Sequence, residues 1–160
     1  MTFSLITVST SGFTELRNGK VPKKGGEKIA LHELKEGGHK VISTKLVDDE
    51  KSMIRLESLK SLFEEGADVV ILMGGTGISK RDLTVEALKP LFDKELEGFS
   101  ELFRMKSYEE IGTAAYLSRA LAGVMNGKIV FCLPGSPSSV ETALRMILPE
   151  INHALYIANG

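Results

Sequence analysis

Thiols are nearly absent from this 160-residue chain: Cys132 is the single cysteine. Intrachain disulfides and a thiolate metal cluster are therefore excluded. Cys132 also sits in the apolar stretch Ile129-Val130-Phe131-Cys132-Leu133, which reads as a core position rather than a nucleophile. Histidine is scarce too, and His32, His39 and His153 show no i,i+4 or Cys-His spacing that would build a zinc site. Charge of either sign is not in excess: 20 Lys and Arg face 21 Asp and Glu, a net charge of -1. Without a basic field, broad nucleic-acid binding is disfavoured, and any anionic ligand must be held by local groups. No uncharged apolar run reaches the roughly 18 residues of a membrane span, and Met1 to Thr10 carries no secretory signature. The expectation is a cytoplasmic protein that crosses no membrane.

What is present describes a foldable chain. With 42% hydrophobic and 26% charged residues and only five prolines, disorder and low complexity are excluded. A chain of this mass buries roughly 69% of its unfolded surface, enough for one domain spanning residues 1–160 without covalent staples. Phe3 to Val8 and Lys40 to Val47 read as strands, and the latter runs into Asp48-Asp49-Glu50. Between them, residues 18–26 read as a loop and Glu27 to Leu34 as a helix. Residues 52–65 place Met53, Leu56, Leu59, Leu62 and Phe63 on one helical stripe. Asp68 to Met73 is almost continuously apolar, as in a strand buried on both faces. Helical spacing resumes over Leu83 to Phe92, with Pro90 shortening or kinking its end. A further helical region is expected over residues 108–122, then a strand from Lys128 to Leu133 and a last helix through Val140, Ala143, Leu144 and Ile147. Such alternation predicts an α/β three-layer sandwich on a mostly parallel sheet.

Chemistry concentrates where these strands end. Gly74-Gly75-Thr76-Gly77 follows one strand directly, and closely spaced glycines let backbone amides turn inward toward an anion, with Lys80 and Arg81 nearby. The run is neither a Walker loop nor a dinucleotide fingerprint. Spacing alone leaves open a plain helix entry in which Ser79 and Asp82 form a capping box. Pro134-Gly135-Ser136-Pro137-Ser138-Ser139 is a second such turn, a phosphate site or a simple N-cap. Asp48, Asp49 and Glu50 close a third strand. Carboxylates at a shared sheet margin can hold magnesium together with phosphate and water, and singly they also serve as helix caps.

In order along the chain, Gly74-Gly75-Thr76-Gly77, Arg81-Asp82-Leu83-Thr84 with Glu86-Ala87, Gly98-Phe99-Ser100-Glu101, Leu117-Ser118-Arg119 and Leu133-Pro134-Gly135-Ser136-Pro137 resemble the MoaB/MogA family of molybdenum-cofactor biosynthesis proteins. Residues 97–117 look closer to MoaB, and the likeness covers nearly the whole chain. The resemblance implies a MogA/MoaB-like fold, a homotrimer or hexamer, and binding of molybdopterin, a dithiolene pterin phosphate. It further implies transfer of AMP from Mg-ATP to that phosphate with release of pyrophosphate, ahead of a downstream metal-insertion protein. Carried onto this sequence, Asp49 and Asp82 are the catalytic and magnesium-holding residues. Gly74, Gly75, Thr76 and Gly77 are then expected to receive nucleotide phosphate or the attacking phosphate, and Ser118, Arg119, Gly135 and Ser136 to engage the pterin substrate. The competing reading is a molybdopterin-binding carrier or assembly scaffold without turnover. Phe99 and Glu101 stand between core or surface roles and the pterin pocket, while Leu102, Phe103 and Met105 read as packing or subunit-contact residues.

Overall fold

The computed structural model describes residues 1–160, arranged as one six-stranded sheet between two helical layers. In chain order the elements are β1 (Thr2–Val8), α1 (Thr10–Arg17), α2 (Gly25–Glu36), β2 (Lys40–Val47), α3 (Lys51–Leu59), β3 (Val69–Met73), α4 (Thr84–Leu88), β4 (Lys94–Glu95), α5 (Glu97–Ile111), β5 (Leu121–Met125), β6 (Lys128–Leu133), α6 (Pro137–Ile147) and α7 (Ile151–Asn159). The strand order is β2-β1-β3-β6-β5-β4. The first four run parallel, and β5 and β4 add antiparallel pairs at one edge.

Strand alternation divides the core between the two faces. Phe3, Leu5, Ile71 and Phe131 point to the layer of α2, α5, α6 and α7, while Ile6, Val70, Leu72 and Cys132 point to that of α3 and α4. All of β3 is buried, as its unbroken apolar run requires. Cys132 is fully buried, and desolvation drives its thiol far above the usual range.

Several expectations shift. Residues 108–122 are not one helix: α5 begins at Glu97 and ends where Gly112 takes φ 73°, a 3-10 stretch follows over Gly112–Leu117, and Leu121 already belongs to β5. The β5–β6 hairpin turns through Asn126 and Gly127, both at positive φ, the pair that such a two-residue turn demands. Pro90 ends the α-helical geometry at Leu88 and leaves a 3-10 turn over Lys89–Leu91. The face that α3 and the π turn over Lys60–Glu64 bury carries Ile54, Ser58, Ser61 and Leu62, while Leu56, Leu59 and Phe63 of the expected stripe stay exposed.

Candidate functional site

Because β2, β1, β3 and β6 are parallel, their C-terminal ends lie on one margin of the sheet. The chain leaves β1 for β2 on one side and returns to β3 on the other, so a crevice opens between the ends of β1 and β3. Ser9, Asp49, Gly74 and Gly135 all follow strands that end at this margin.

The loop after β3 is forced into shape by close approach. Gly74 has φ 115°, and a Cβ there would stand 2.2 Å from Val8 O; Gly75 has φ 71°, and its Cβ would meet Thr84 Oγ1 at 2.2 Å. Only glycine fits either position. The loop carbonyls are all engaged from behind. Thr84 donates its hydroxyl to Gly74 O (2.8 Å) and its amide to Gly75 O (3.1 Å), while Arg119 donates its amide to Thr76 O (2.9 Å) and Nε to Gly77 O (2.8 Å). The amides of Gly75, Thr76 and Gly77 have no acceptor within the chain. A loop with its carbonyls tied back and its amides free is a cradle for an anion.

Two carboxylates flank that cradle. Asp49 Oδ2 is fixed by the amide (2.9 Å) and hydroxyl (2.8 Å) of Thr10, and its Oδ1 would lie 3.3 Å from a Cβ on Gly75. Asp82 Oδ2 accepts the Ser79 amide (2.8 Å) and would lie 2.7 Å from a Cβ on Gly77. Since Gly75 and Gly77 are two residues apart, the points these carboxylates touch are separated by at most about 7 Å of chain. Ser79 and Asp82 do not open an α-helix: they close a turn, and α4 starts only at Thr84. Asp48 and Glu50 turn elsewhere, Asp48 onto the Asp49 amide and Glu50 onto Ser52.

The amide loop and Asp82 open onto a hollow of about 340 Å3 lined by Gly75, Thr76, Gly77, Asp82, Ser118 and Gly135, with Phe103, Ser107 and Ser139 among the remaining walls, whereas Asp49 lies beside Gly75 and is not one of its walls. Gly74 lies against Gly135, whose Cβ would be 3.5 Å from Gly74 Cα. Ser136 caps α6 through its bond with the Ser139 amide. Arg119 reaches the loop from behind: besides its bonds to the loop, Nη2 donates to Asp82 O (3.2 Å), and the guanidinium pairs with Glu86. That pairing holds the Glu86 carboxyl below the usual range, its partial burial opposing the shift. Phe99 lies among the rings of Phe103 (6.0 Å) and Phe131 (5.1 Å) and does not line the hollow, and Glu101 is exposed.

No three of the His, Cys, Asp and Glu side chains converge as a metal cage. The donor set still suits a magnesium ion brought in on a polyphosphate, which takes one or two carboxylates and otherwise phosphate and water. Asp49 Oδ1 and Asp82 Oδ1 carry no hydrogen bond within the chain, so both are open to such an ion. The ties made by Thr10 and Glu86 are not apparent from motif spacing, because each depends on a contact across the fold, while Thr84 closes on Gly74 ten residues back.

Comparison with known proteins agrees with this architecture. Residues 4–153 match the family described as "Probable molybdopterin binding domain". The "Molybdopterin adenylyltransferase" of Pyrococcus furiosus is 46% identical over 160 aligned residues, covering 96% of this chain and 88% of its own length. The "Molybdenum cofactor biosynthesis protein B" of Bacillus subtilis is 44% identical over 153 residues, covering 94% and 86%. Among solved structures, the "tungsten cofactor synthesizing protein MoaB" from Pyrococcus furiosus superposes with a TM-score of 0.86 at 44% identity, covering 99% of this chain and 97% of that one. By sequence and by fold, the chain belongs to the molybdopterin-binding domain family of molybdenum-cofactor biosynthesis proteins.

Proposed function

We propose that the chain works as one domain that transfers AMP from Mg-ATP to the terminal phosphate of molybdopterin. An oxygen of the pterin phosphate attacks the α-phosphorus of ATP, the new P–O–P bond forms, and the bond to the β-phosphate breaks to release pyrophosphate. A phosphate monoester is already anionic near neutral pH, so the attack needs little help from a base. The difficulty is to bring two polyanions together. The observation that carries this reading is the loop whose amides are free while its carbonyls are tied down. It offers fixed positive dipoles to phosphate without reorganisation.

Asp49 and Asp82 would hold magnesium, which supplies charge neutralisation to the triphosphate. The 340 Å3 hollow with Ser118, Gly135 and Ser139 takes the pterin side, and Ser136 keeps the following helix in place. Arg119, assigned to the pterin by family likeness, acts here by fixing the loop and the carbonyl of Asp82. The names borne by relatives of 42–46% identity, molybdopterin adenylyltransferase, support turnover over a carrier role. A cytoplasmic location, with access to ATP, suits the reaction, and no helix is long and apolar enough to cross a membrane. The exposed apolar residues of α5, Leu102, Met105, Tyr108 and Ile111, suit a homotrimer or hexamer, while Phe103 is core. The adenylylated product then passes to a metal-insertion protein.

The test is to mix the chain with molybdopterin and Mg-ATP and to follow AMP incorporation and pyrophosphate release. Asp82→Asn is expected to abolish transfer, with the fold unchanged and pterin affinity largely kept. Wild-type turnover in that variant would refute the role of Asp82. Pterin binding by the wild type without AMP transfer would replace the enzyme by a carrier.

A further inference from the structure

Asp49 and Asp82 each stand two residues ahead of a helix, Asp49 before α3 and Asp82 before α4. Both helices lie on the same face of the sheet, where Ile54 of α3 shares a buried cluster with Ala87 and Leu88 of α4. The separation of the two carboxylates is therefore governed by how α3 sits on α4. Apolar contact fixes that register weakly, because it is non-directional. A magnesium ion demands near-ideal octahedral geometry with oxygens at about 2.0–2.1 Å, so its carboxylates cannot drift.

One side chain ties the two helices with direction. Arg55, half-buried on α3 next to Ile54, donates Nε to Ala87 O (2.8 Å) and Nη2 to Glu86 O (3.3 Å). These are the only hydrogen bonds between α3 and α4. The carbonyls need an outside donor: α4 spans only Thr84–Leu88, and the last carbonyls of a helix have no partner within it. A continuing helix would bring to Glu86 O the amide four residues on, but that residue is Pro90, which has no N–H. A guanidinium fills the gap, since its planar fork is always charged and spans two carbonyls at once. Arg55 does not line the hollow beside the amide cradle and bonds to neither carboxylate. Its effect on the site passes through α4, which carries Thr84, tied to Gly74 and Gly75, and Glu86, paired with Arg119. The cradle, Asp82 and α4 thus form one unit, and Arg55 joins it to the helix that follows Asp49.

We propose that Arg55 is a positioning residue for magnesium-dependent nucleotide binding: its two bonds to the end of α4 set the spacing at which Asp49 and Asp82 reach one ion. The inference rests on the magnesium and ATP reading above. Calorimetric titration without pterin, where no transfer occurs, measures ATP binding with magnesium and again with EDTA. The wild type is expected to bind Mg-ATP about tenfold or more tightly than metal-free ATP, through neutralised phosphate charge. Arg55→Met, which removes the charge, and Arg55→Lys, which keeps it without the fork, should each lose most of that gain, since losing the support of a metal ligand costs roughly 10–100-fold in metal affinity. Both should bind metal-free ATP within about threefold of the wild type, because Thr84 and Arg119 still tie the loop. A brace that served stability alone would lower Tm and leave the magnesium gain intact well below the unfolding temperature; that result in either variant would overturn the proposal. Equal loss of affinity with and without magnesium would overturn it too, as general damage to the site. Arg55→Lys keeps the test decisive if Arg55→Met does not fold. A wild type that gains nothing from magnesium would overturn the magnesium reading together with the brace, and one that binds no ATP would overturn the adenylyl-transfer reading as well. A gain that the variants retain overturns the brace alone.

Discussion

On the β3 side of the cleft every loop carbonyl finds a donor, whereas on the β1 side two polar atoms are buried with none. The first region is complete by itself: Thr84 and Arg119 fix the loop before any ligand arrives. The second leaves Thr7 Oγ1 and Glu27 Oε2 shielded and unpaired. The fixed loop suits a group transfer. Charge developing on phosphorus is best met by dipoles that need not move, as the first region provides.

The comparison breaks first at Gly75. Gly75→Ala puts a methyl 2.2 Å from Thr84 Oγ1 at φ 71° and should cost about 1–3 kcal/mol in backbone strain alone. For a chain of this size that is a fall in Tm of roughly 3–9 °C by scanning calorimetry, and an unchanged Tm would mean that the loop is not rigid. Arg119→Lys keeps the positive charge but cannot span Gly77 O, Asp82 O and Glu86 together. Its expected cost is about 1–2 kcal/mol of stability, with kcat for AMP transfer falling more than KM for molybdopterin rises. A change confined to pterin affinity would return Arg119 to direct substrate contact.

The smallest effect concerns acid. The Glu86 carboxyl titrates below its ordinary value of 4.5 because Arg119 bonds to it. Its contribution to stability is therefore in place above that pH and is lost as pH falls through the lower, folded value. Glu86→Gln should flatten that part of the pH dependence of urea unfolding, and an unaltered acid slope would assign it to other carboxylates. Glu86 and Arg119 are partly exposed, so the change amounts to a fraction of the total stability.

Much of the scaffold was legible because buried parallel strands announce themselves. Lys128–Leu133 is the strand that the apolar pattern predicts, β3 begins one residue later than expected, and the edge strand Lys40–Val47 keeps its expected bounds although only Val47 is buried. The failures have particular causes. Ala114, Ala115, Leu117 and Leu121 have helical spacing, yet Gly112 had already ended the helix and Leu121 pairs with Cys132 in the sheet. Asn126-Gly127 was the available signal for that hairpin. α1 and α7 lacked a pattern strong enough to separate them from the surrounding loops. In the site, Asp82 and the glycines are visible as a local run, whereas Asp49 stood out from Asp48 and Glu50 only through family likeness. What selects it physically is Thr10, 39 residues away. Arg119 reaches Gly77 across 42 residues, a contact that no local spacing encodes.

The burial of Cys132 within the sheet bears on the chemistry of sulfur. A dithiolene resting in the cleft meets no accessible thiol of this chain, since the one it possesses is sealed and held protonated. Thiol exchange requires an accessible thiolate. The protein can therefore neither capture such a ligand as a mixed disulfide nor set a thiolate of its own against the ligand's sulfurs for a soft metal.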